Sequence, residues 1–361
     1  MEMFQFRDRA VAERILQRIA GMNLNLTLMH VCGTHQDTVV RYGLDTLLQK
    51  HGVKIRQGPG CPVCVTTTTE IEEAVVLAKK GKTVATYGDM LRVPGASGSL
   101  LDARSEGAKV KIVYSITDAV KLAERSRDEI VFVAIGFETT APTTAITLLS
   151  KPPENFSILS CHRYLPPALE SLLGMGELKL DGIIEPGHVS TIIGTKPYER
   201  LSMKYRLPQV IAGFEPLDVL MAVYMIARQI QSSRAVVENE YTRTVREKGN
   251  LKALDAMSEV FRPIDSKWRG FPIIPNSRMK LKSEFSSYDA EERFREELET
   301  IIGAEFSEPS GCSCDQVLRG LMEPRECPLF GKACSPQHPV GPCMVSLEGS
   351  CNIEYKYRRP S

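Results

Sequence analysis

Residues 130–142 read IVFVAIGFETTAP, an apolar run followed by a glycine turn and a proline. The run Ile130–Ile135 is long enough for a buried strand. We expect the next helix to start at Pro142, because a proline in the first helical turn gives up an N–H group that has no partner there. The same alternation of short apolar runs with helical patterns continues on both sides. It predicts a parallel sheet covered by helices.

Two sets of apolar runs follow this pattern, each with four members over about a hundred residues, a common domain size. The first set is Leu26–Val31, Val53–Ile55, Thr83–Thr86 and Val110–Tyr114, and the second is Ile130–Ile135, Phe156–Ser160, Gly182–Ile184 and Val210–Ala212. Helices are expected over residues 6–20, 38–49 and 70–79. We therefore predict an α/β protein with two tandem parallel-sheet domains of similar topology, covering residues 1–128 and 129–235. Two short segments are similar, IGFE at 135–138 and AGFE at 212–215. They are too short to decide whether the chain contains a true repeat.

Residues 236–361 differ from the rest of the chain in composition and pattern. They are predicted to form a third domain that is helical and irregular. Residues 236–262 and 287–302 look helical and charged. From residue 310 the chain is rich in cysteine, proline and glycine. Such a stretch cannot build much core and would need an inorganic group to hold its shape.

Composition excludes several classes of function. Lys+Arg number 45 and Asp+Glu 44 in 361 residues, a net charge of +1 that indicates neither nucleic acid nor anionic lipid as a partner. No apolar run approaches the roughly 18 residues that a membrane span needs. The N-terminus lacks a basic segment followed by an apolar one, so no signal peptide is expected. We expect a cytoplasmic monomer without membrane contact.

Two cysteine motifs follow neighbouring predicted strands. Cys32-Gly-Thr-His35 comes after the first strand, at a helix N-terminus that favours a thiolate, with His35 as a base or hydrogen-bond partner. Gly58-Pro-Gly-Cys61-Pro-Val-Cys64 comes after the second, and its Cys-x-x-Cys spacing suits a disulfide or a soft metal. Because loops at the carboxyl ends of parallel strands form the binding crevice, Cys32, Cys61 and Cys64 could hold iron or zinc together with His35. A structural zinc site is the alternative.

Polar groups also follow strands of the second set. Glu138, Thr139, His188 and Glu215 could orient a ligand or move protons. The alternative is that these segments only cap helices and form turns. Cys161 follows a strand without a neighbouring cysteine, and we set it aside as a packing residue.

Six of the ten cysteines lie near the C-terminus, at positions 312, 314, 327, 334, 343 and 351. In a reducing compartment, clustered cysteines indicate metal or redox chemistry. Their spacing is neither that of a zinc ribbon nor that of a bacterial ferredoxin. A [4Fe-4S] cluster needs four ligands, so two of the six cysteines are left over. The simplest interpretation is four cluster ligands and one redox pair. A purely structural cluster is the alternative.

Together these motifs resemble the hydrogenase maturation factor family HypD. The resemblance rests on CGTH at 32–35, GPGCPVC at 58–64, GFETTAP at 136–142, PGHV at 186–189, GFEP at 213–216 and CMVSLEGSC at 343–351. It implies a scaffold for the Fe(CN)2CO unit of [NiFe]-hydrogenases, in complex with a HypC-type chaperone and with cyanide supplied by HypE, upstream of which HypF acts. Cys32, Cys61 and Cys64 would hold or serve the iron that carries cyanide and carbonyl.

The resemblance also implies a [4Fe-4S] cluster in the C-terminal region. Carried onto this chain, its ligands are Cys312, Cys327, Cys334 and Cys351, which leaves Cys314 and Cys343 as a redox pair. Electrons would pass from the cluster to this pair and on to Cys61 and Cys64 by thiol exchange. Whether such a scaffold counts as an enzyme is open, since its product stays bound.

Two other functions use the same residues. A cluster-dependent thiol oxidoreductase acting on a protein disulfide would need the cysteines but bind no mononuclear iron. An assembly adaptor with a structural cluster would leave the three cysteines near the strands inert.

Overall fold

The computed structural model describes residues 8–301, 303–304 and 306–358. Within them the strands are β1 (Leu26–His30), β2 (Val53–Gln57), β3 (Thr83–Thr86), β4 (Val110–Ile112), β5 (Ile130–Gly136), β6 (Phe156–His162), β7 (Gly182–Pro186), β8 (Gln209–Ala212), β9 (Val237–Asn239), β10 (Phe261–Lys267) and β11 (Ile273–Leu281).

The α-helices of the same residues are α1 (Arg9–Gly21), α2 (Gly33–Arg41), α3 (Leu44–Gln49), α4 (Pro62–Val65), α5 (Thr68–Lys79), α6 (Leu100–Ser105), α7 (Ile116–Arg125), α8 (Ala141–Leu149), α9 (Leu165–Met175), α10 (Gly187–Ile193), α11 (Lys196–Tyr205), α12 (Pro216–Gln231), α13 (Leu251–Val260), α14 (Ala290–Arg293), α15 (Arg295–Leu298), α16 (Cys314–Leu318), α17 (Pro342–Val345) and α18 (Ser350–Tyr357). Short 3-10 helices cover Gly88–Arg92, Ser283–Tyr288 and Pro324–Glu326.

The strands build two parallel sheets and one antiparallel hairpin. Sheet A has the order β2-β1-β7-β8-β9, sheet B has the order β4-β3-β5-β6, and β10 pairs with β11. All neighbouring strands within each of the two larger sheets are parallel. The prediction of an α/β protein with two parallel-sheet units and a cysteine-rich C-terminal region is confirmed.

The path of the chain through the sheets was not visible in the sequence. It forms β1 and β2 of sheet A, crosses to build all of sheet B, and returns with β7 to complete sheet A. Each sheet therefore takes strands from both sides of residue 128, and the two sets of apolar runs do not correspond to the two sheets. The two similar GFE segments lie in different sheets, one at the end of β5 in sheet B and the other after β8 in sheet A.

Most predicted helices are present, with shifted ends. The helix expected over residues 6–20 is Arg9–Gly21, and residues 6 and 7 lie outside the described residues. The single helix expected over 38–49 is two helices, because Gly43 adopts φ +64° between α2 and α3. The helix expected over 70–79 begins at Thr68, where Thr67 and Glu70 form a reciprocal cap.

The helix predicted over residues 236–262 is wrong for much of its length. Residues 237–239 add the strand β9 to sheet A, α13 spans only Leu251–Val260, and residue 261 starts the hairpin. The reason is tertiary: β10 is stabilised by antiparallel pairing with β11, which lies beyond the predicted segment. The charged stretch after the hairpin forms short helices, α14 and α15, rather than one helix over 287–302.

The C-terminal segment is held by the rest of the protein. Gln57 donates to the carbonyls of Val317 and Met322 at 3.2 Å each, and α18 packs on α2. Arg358 binds the carboxylate of Asp45 through both terminal nitrogens. These contacts give the segment a fixed place on sheet A although it has little core of its own.

Among the described residues, no helix is long and apolar enough to cross a membrane.

Candidate site in the cleft between the two sheets

A cleft of about 480 Å3 lies where the carboxyl ends of both sheets meet. Residues that follow β1, β2, β3, β4, β5 and β7 line it, together with one residue from the C-terminal segment. Its polar lining includes Cys32, Thr34, Asp89, Thr139, His188 and Glu348. This is the crevice that parallel sheets are expected to form, but it is shared by two sheets rather than built by one.

Cys32 presents a free thiol to the cleft. It is the residue before α2, and it is partly exposed. Burial raises the pKa of the thiol to about 11, and the backbone N–H groups of His35 and Thr34 offset this only in part. Burial therefore opposes the thiolate that the helix terminus is expected to favour. A bound cation would favour deprotonation, since thiolate is the metal-binding form.

Cys61 and Cys64 lie beside Cys32 and are bonded to each other, with an S–S distance of 2.20 Å. Gly60 brings the two motifs together, because a Cβ atom there would lie 2.2 Å from the backbone nitrogen of Cys32. Cys32 lines the cleft, whereas Cys61 and Cys64 are buried behind its wall, to which their motif contributes Gly60, Pro62 and Val63. In the disulfide form only Cys32 offers a free sulfur.

His35 does not line the cleft. Its Nε2 lies 2.8 Å from the carbonyl oxygen of Gly213, to which it donates, and its ring packs on Phe214. Burial lowers the pKa of His35 to about 4, so the ring is neutral. The predicted base is instead a buried link between α2 and the turn after β8.

His188 and Thr139 line the cleft from different sheets. Both line the cleft, His188 after β7 and Thr139 after β5. The His188 ring lies on Phe214 with centroids 3.9 Å apart, which fixes its position, and burial lowers its pKa. It is the histidine of the predicted set that can act on a ligand in the cleft.

Glu138 and Glu215, also predicted as site residues, serve the scaffold. The buried Glu138 carboxylate accepts the backbone N–H of Leu165 at 3.1 Å, and burial raises its pKa to about 8. Glu215 precedes α12, where its backbone N–H donates to Asp218 at 3.1 Å. Neither residue lines the cleft.

Glu348 is a cleft residue that the sequence analysis missed. Burial raises the pKa of its carboxyl, and Gly33 packs so closely that a Cβ there would lie 2.5 Å from that of Glu348. Asp89 holds the loop, accepting from the Ser346 hydroxyl at 3.1 Å and the Leu347 N–H at 3.0 Å. The signal was present in the sequence, since Glu348 lies within the quoted 343–351 motif, but its distance in sequence from Cys32 hid the contact.

The six C-terminal cysteines form a second group. The sulfur atoms of Cys312 and Cys314 are 3.3 Å apart, and Cys314, Cys343 and Cys351 are in mutual contact. Contact with Cys314 lowers the pKa of Cys312 to about 7. The N–H of Val340 donates to the sulfur of Cys334 at 3.4 Å, and Cys334 interacts with Cys327.

Helix α4 lies between the two groups of cysteines. It begins directly after Cys61 and contains Cys64. It packs against α16, whose first residue is Cys314, and against α17, which contains Cys343. The Cys61–Cys64 disulfide is therefore joined to the helix that packs against the two helices carrying the predicted redox pair.

Comparison with known proteins identifies the family. The family model HypD, described as "Hydrogenase formation hypA family", matches residues 9–358. The chain belongs to the HypD family. A provisionally named hydrogenase expression/formation protein of Methanocaldococcus jannaschii is 50% identical over 364 residues, covering 99% of this chain and 100% of that protein. The hydrogenase maturation factors HypD of Cupriavidus necator and Azotobacter vinelandii are 42% and 44% identical over 371 residues, covering 98% of this chain and 96% of each.

The thiols of this HypD-family chain fit the chemistry of an iron–sulfur cluster. Gly341 lets the backbone pass close to two of these sulfur atoms. A Cβ there would lie 2.5 Å from the sulfur of Cys312 and 2.7 Å from that of Cys314, in space that the thiols need. Among the described residues, no three histidine, cysteine or carboxylate side chains are gathered as around one metal ion. Four cysteines ligate a [4Fe-4S] cluster, and they surround it rather than converge on one point.

Proposed function

We propose that this protein is the scaffold on which the Fe(CN)2CO unit of [NiFe]-hydrogenase is assembled. Family membership supports a role in hydrogenase maturation. The observation that carries the finer proposal is the cleft, which is lined by a free cysteine and by the loop whose two cysteines form a buried disulfide. Iron bearing cyanide and carbonyl is a soft centre, and thiolate is the ligand that soft centres prefer. Iron is the cargo of the site, and Cys32 is its anchoring ligand.

The polar residues of the cleft orient the diatomic ligands. Cyanide nitrogen accepts hydrogen bonds, and Thr34, Thr139 and His188 provide donors on both sides of the cleft. Glu348 is an acid on the wall of the cleft that can hold or release a proton close to Cys32. The apolar remainder of the lining limits access of water, which strengthens each of these hydrogen bonds.

The C-terminal segment supplies electrons. We assign Cys312, Cys327, Cys334 and Cys351 as the residues that hold a [4Fe-4S] cluster, which would provide one-electron chemistry when bound. Cys314 and Cys343 are the redox pair. In thiol exchange with the cleft, the S–S bond of Cys61–Cys64 breaks, Cys314 and Cys343 become a disulfide, and their two hydrogens pass to Cys61 and Cys64. The packing of α4 on α16 and α17 supports this route. Reduction makes Cys61 and Cys64 available to serve the iron.

The partners that we propose are those that the resemblance to the family implies. A HypC-type chaperone shares the iron, and HypE, with HypF upstream, delivers cyanide. The near-neutral net charge of +1 favours neither nucleic acid nor membrane as a partner. We place the protein in the cytoplasm as a monomer.

Infrared and Mössbauer spectroscopy on the protein purified anaerobically with its chaperone tests the proposal. We expect cyanide and carbonyl stretching bands together with a low-spin iron signal. Cys32→Ser should lose these bands, whereas Cys161→Ser, a change at a cysteine outside the cleft, should keep them. Intact bands in Cys32→Ser would overturn the assignment of Cys32.

The electron route has a separate test. A Cys314→Ala, Cys343→Ala double variant should keep its cluster absorbance but isolate with Cys61–Cys64 oxidised and fail to mature hydrogenase. A double variant that retains the cluster and matures hydrogenase normally would refute the route.

A second candidate function is a thiol oxidoreductase acting on a protein disulfide, which the Cys61–Cys64 disulfide itself favours. It predicts that the purified complex reduces a partner disulfide and has no cyanide or carbonyl bands. The infrared measurement therefore separates the two functions.

A further inference from the structure

The turn Gly213–Glu215, which follows β8, connects two parts of the site without lining the cleft itself. On one side it contacts α2, the helix that begins directly after Cys32. On the other side the ring of its phenylalanine lies against the ring of His188. The turn is therefore placed to set the position of the cleft histidine relative to the cysteine that anchors the iron in the proposed function.

Two side chains of α2 hold the turn. Nε2 of His35 donates to the carbonyl oxygen of Gly213 at 2.8 Å, and the hydroxyl of Thr38 donates to the carbonyl oxygen of Phe214 at 2.6 Å. His35 and Thr38 are three positions apart, so they lie on the same face of the helix. Both side chains are buried, and water therefore does not compete for these bonds. Two successive carbonyl groups thus attach the turn to the helix that follows Cys32.

Acidic residues hold the opposite side of the turn. The backbone N–H of Gly213 donates to Glu240 at 3.1 Å, and that of Glu215 donates to Asp218 at 3.1 Å. Asp218 in turn forms an ion pair with Arg243. Gly213 packs tightly as well, since a Cβ there would lie 2.1 Å from a carboxylate oxygen of Asp218. Because both its N–H and its carbonyl groups are engaged, the turn has little freedom to move against the sheet.

The ring of Phe214 is the part of the turn that contacts the cleft histidine. Its centroid lies 3.9 Å from that of His188, 5.1 Å from that of His35 and 5.8 Å from that of Tyr241, which meets it edge-on. Such ring pairs favour particular relative orientations. Among the described residues, none forms a hydrogen bond with the ring nitrogens of His188, whose pKa is lowered by burial alone. These nitrogens are open to a ligand, and the orientation of the imidazole depends on the face of Phe214.

We propose that Phe214 is a positioning residue for His188, and that His35 and Thr38 act with it by holding the turn. None of these three residues lines the cleft. They keep the imidazole at the angle from which its N–H donates to a cyanide nitrogen, because a hydrogen bond weakens steeply when its angle is poor. The inference rests on the proposed function. It adds that the motifs at 32–35 and 213–216 act together on one hydrogen-bond donor.

Infrared spectroscopy of the cyanide bands tests the inference, on the full-length protein purified anaerobically with its chaperone. A hydrogen bond at the cyanide nitrogen raises the C–N stretching frequency, because it withdraws electron density from a lone pair that is weakly antibonding. His188→Ala should therefore move one cyanide band to lower wavenumber. Phe214→Leu should move the same band in the same direction, and Thr38→Val should move it by a smaller amount. Phe214→Tyr, which keeps the ring, should leave the band in place.

Two comparisons separate positioning from a general loss of stability. The double variant Phe214→Leu, His188→Ala should have the band position of His188→Ala alone, because Phe214 acts only through His188. Phe261→Leu is the matched control, since the Phe261 ring meets another buried histidine, His162, outside the cleft, with centroids 5.9 Å apart. It should lower the melting temperature and leave both cyanide bands unchanged.

The outcomes distinguish this inference from the proposed function. If the unmodified complex has no cyanide bands, the proposed function is refuted, and this inference with it. If the bands are present but His188→Ala leaves them in place, or shifts a band that Phe214→Leu and Thr38→Val do not, the positioning role is overturned while the scaffold function stands. An equal shift in Phe261→Leu would also overturn it. Thr38→Val removes one hydroxyl with little change of shape, so it carries the test should Phe214→Leu fail to fold.

Discussion

The cysteines of the cleft and those of the C-terminal segment are positioned by different kinds of structure. Cys32 and the Cys61–Cys64 disulfide follow the paired strands β1 and β2. The C-terminal cysteines lie on two short helices, on the end helix α18 and in turns, and are held by contacts with other parts of the chain. The comparison teaches that the end of a strand in a sheet can fix the position of a sulfur atom through local structure. A cysteine-rich segment depends on its contacts with the rest of the chain.

The strongest way to test the comparison is to remove the fixed sulfur. Cys32→Ser should lower hydrogenase maturation about 100-fold or more, since even groups that only orient metal ligands change metal affinity about 10- to 100-fold. Its melting temperature should stay unchanged, because Cys32 is partly exposed. Cys161→Ala should do the opposite, keeping maturation while losing about 1 kcal/mol of stability. Complementation of a strain lacking its own family member, with thermal melts of both variants, measures this. Normal maturation by Cys32→Ser would contradict it.

The buried carboxyl of Glu138, which follows β5, should make the stability of the folded protein depend on pH. Because burial raises the pKa of Glu138 to about 8, the folded protein binds a proton there that the unfolded chain releases near pH 4.5. The stabilisation is complete below pH 4.5 and is lost as the pH rises to about 8, by at most about 1.4 kcal/mol per pH unit. Glu138→Gln should therefore gain stability relative to the unmodified protein over this interval. Urea unfolding at several pH values measures the difference, and parallel curves for the two proteins would refute it.

We expect a smaller effect on stability at Gly60, where the motif of Cys61 and Cys64 packs closely against the motif of Cys32. Gly60→Ala should cost about 1–3 kcal/mol, the usual cost of overpacking, because its Cβ would overlap the backbone of Val31 and Cys32. Gly21→Ala is the matched control, since nothing lies within 4 Å of a Cβ there. Denaturant midpoints compare the two. Equal midpoints would mean that the motifs can separate without cost.

We expect the smallest effect at the loop of residues 346–349, which contains Glu348. Asp89→Ala removes the carboxylate oxygen that accepts both hydrogen bonds from the loop that contains Glu348, and should cost about 1 kcal/mol. Amide exchange of residues 346–349 should become several-fold faster, while that of β1 stays unchanged. Unchanged exchange in the loop would show that it is held by the neighbouring helices alone.

The sequence by itself determined the class of fold and brought three of the predicted residues to the cleft. Apolar runs followed by glycine turns and helix starts require parallel strands, and strand-end position alone placed Cys32, Thr139 and His188 near a crevice. These inferences succeed because they depend on local pattern and on the shared direction of the strands.

Only the tertiary structure decided the order of the strands and the roles of single side chains. The apolar runs look alike, so nothing local states that β7 pairs with β1 or that sheet B lies between the two halves of sheet A in the chain. Likewise His35 turned to a carbonyl and Glu348 entered the cleft through contacts made across more than 170 residues of sequence. Burial and partners set what a side chain can do, and both arise only when distant segments pack together.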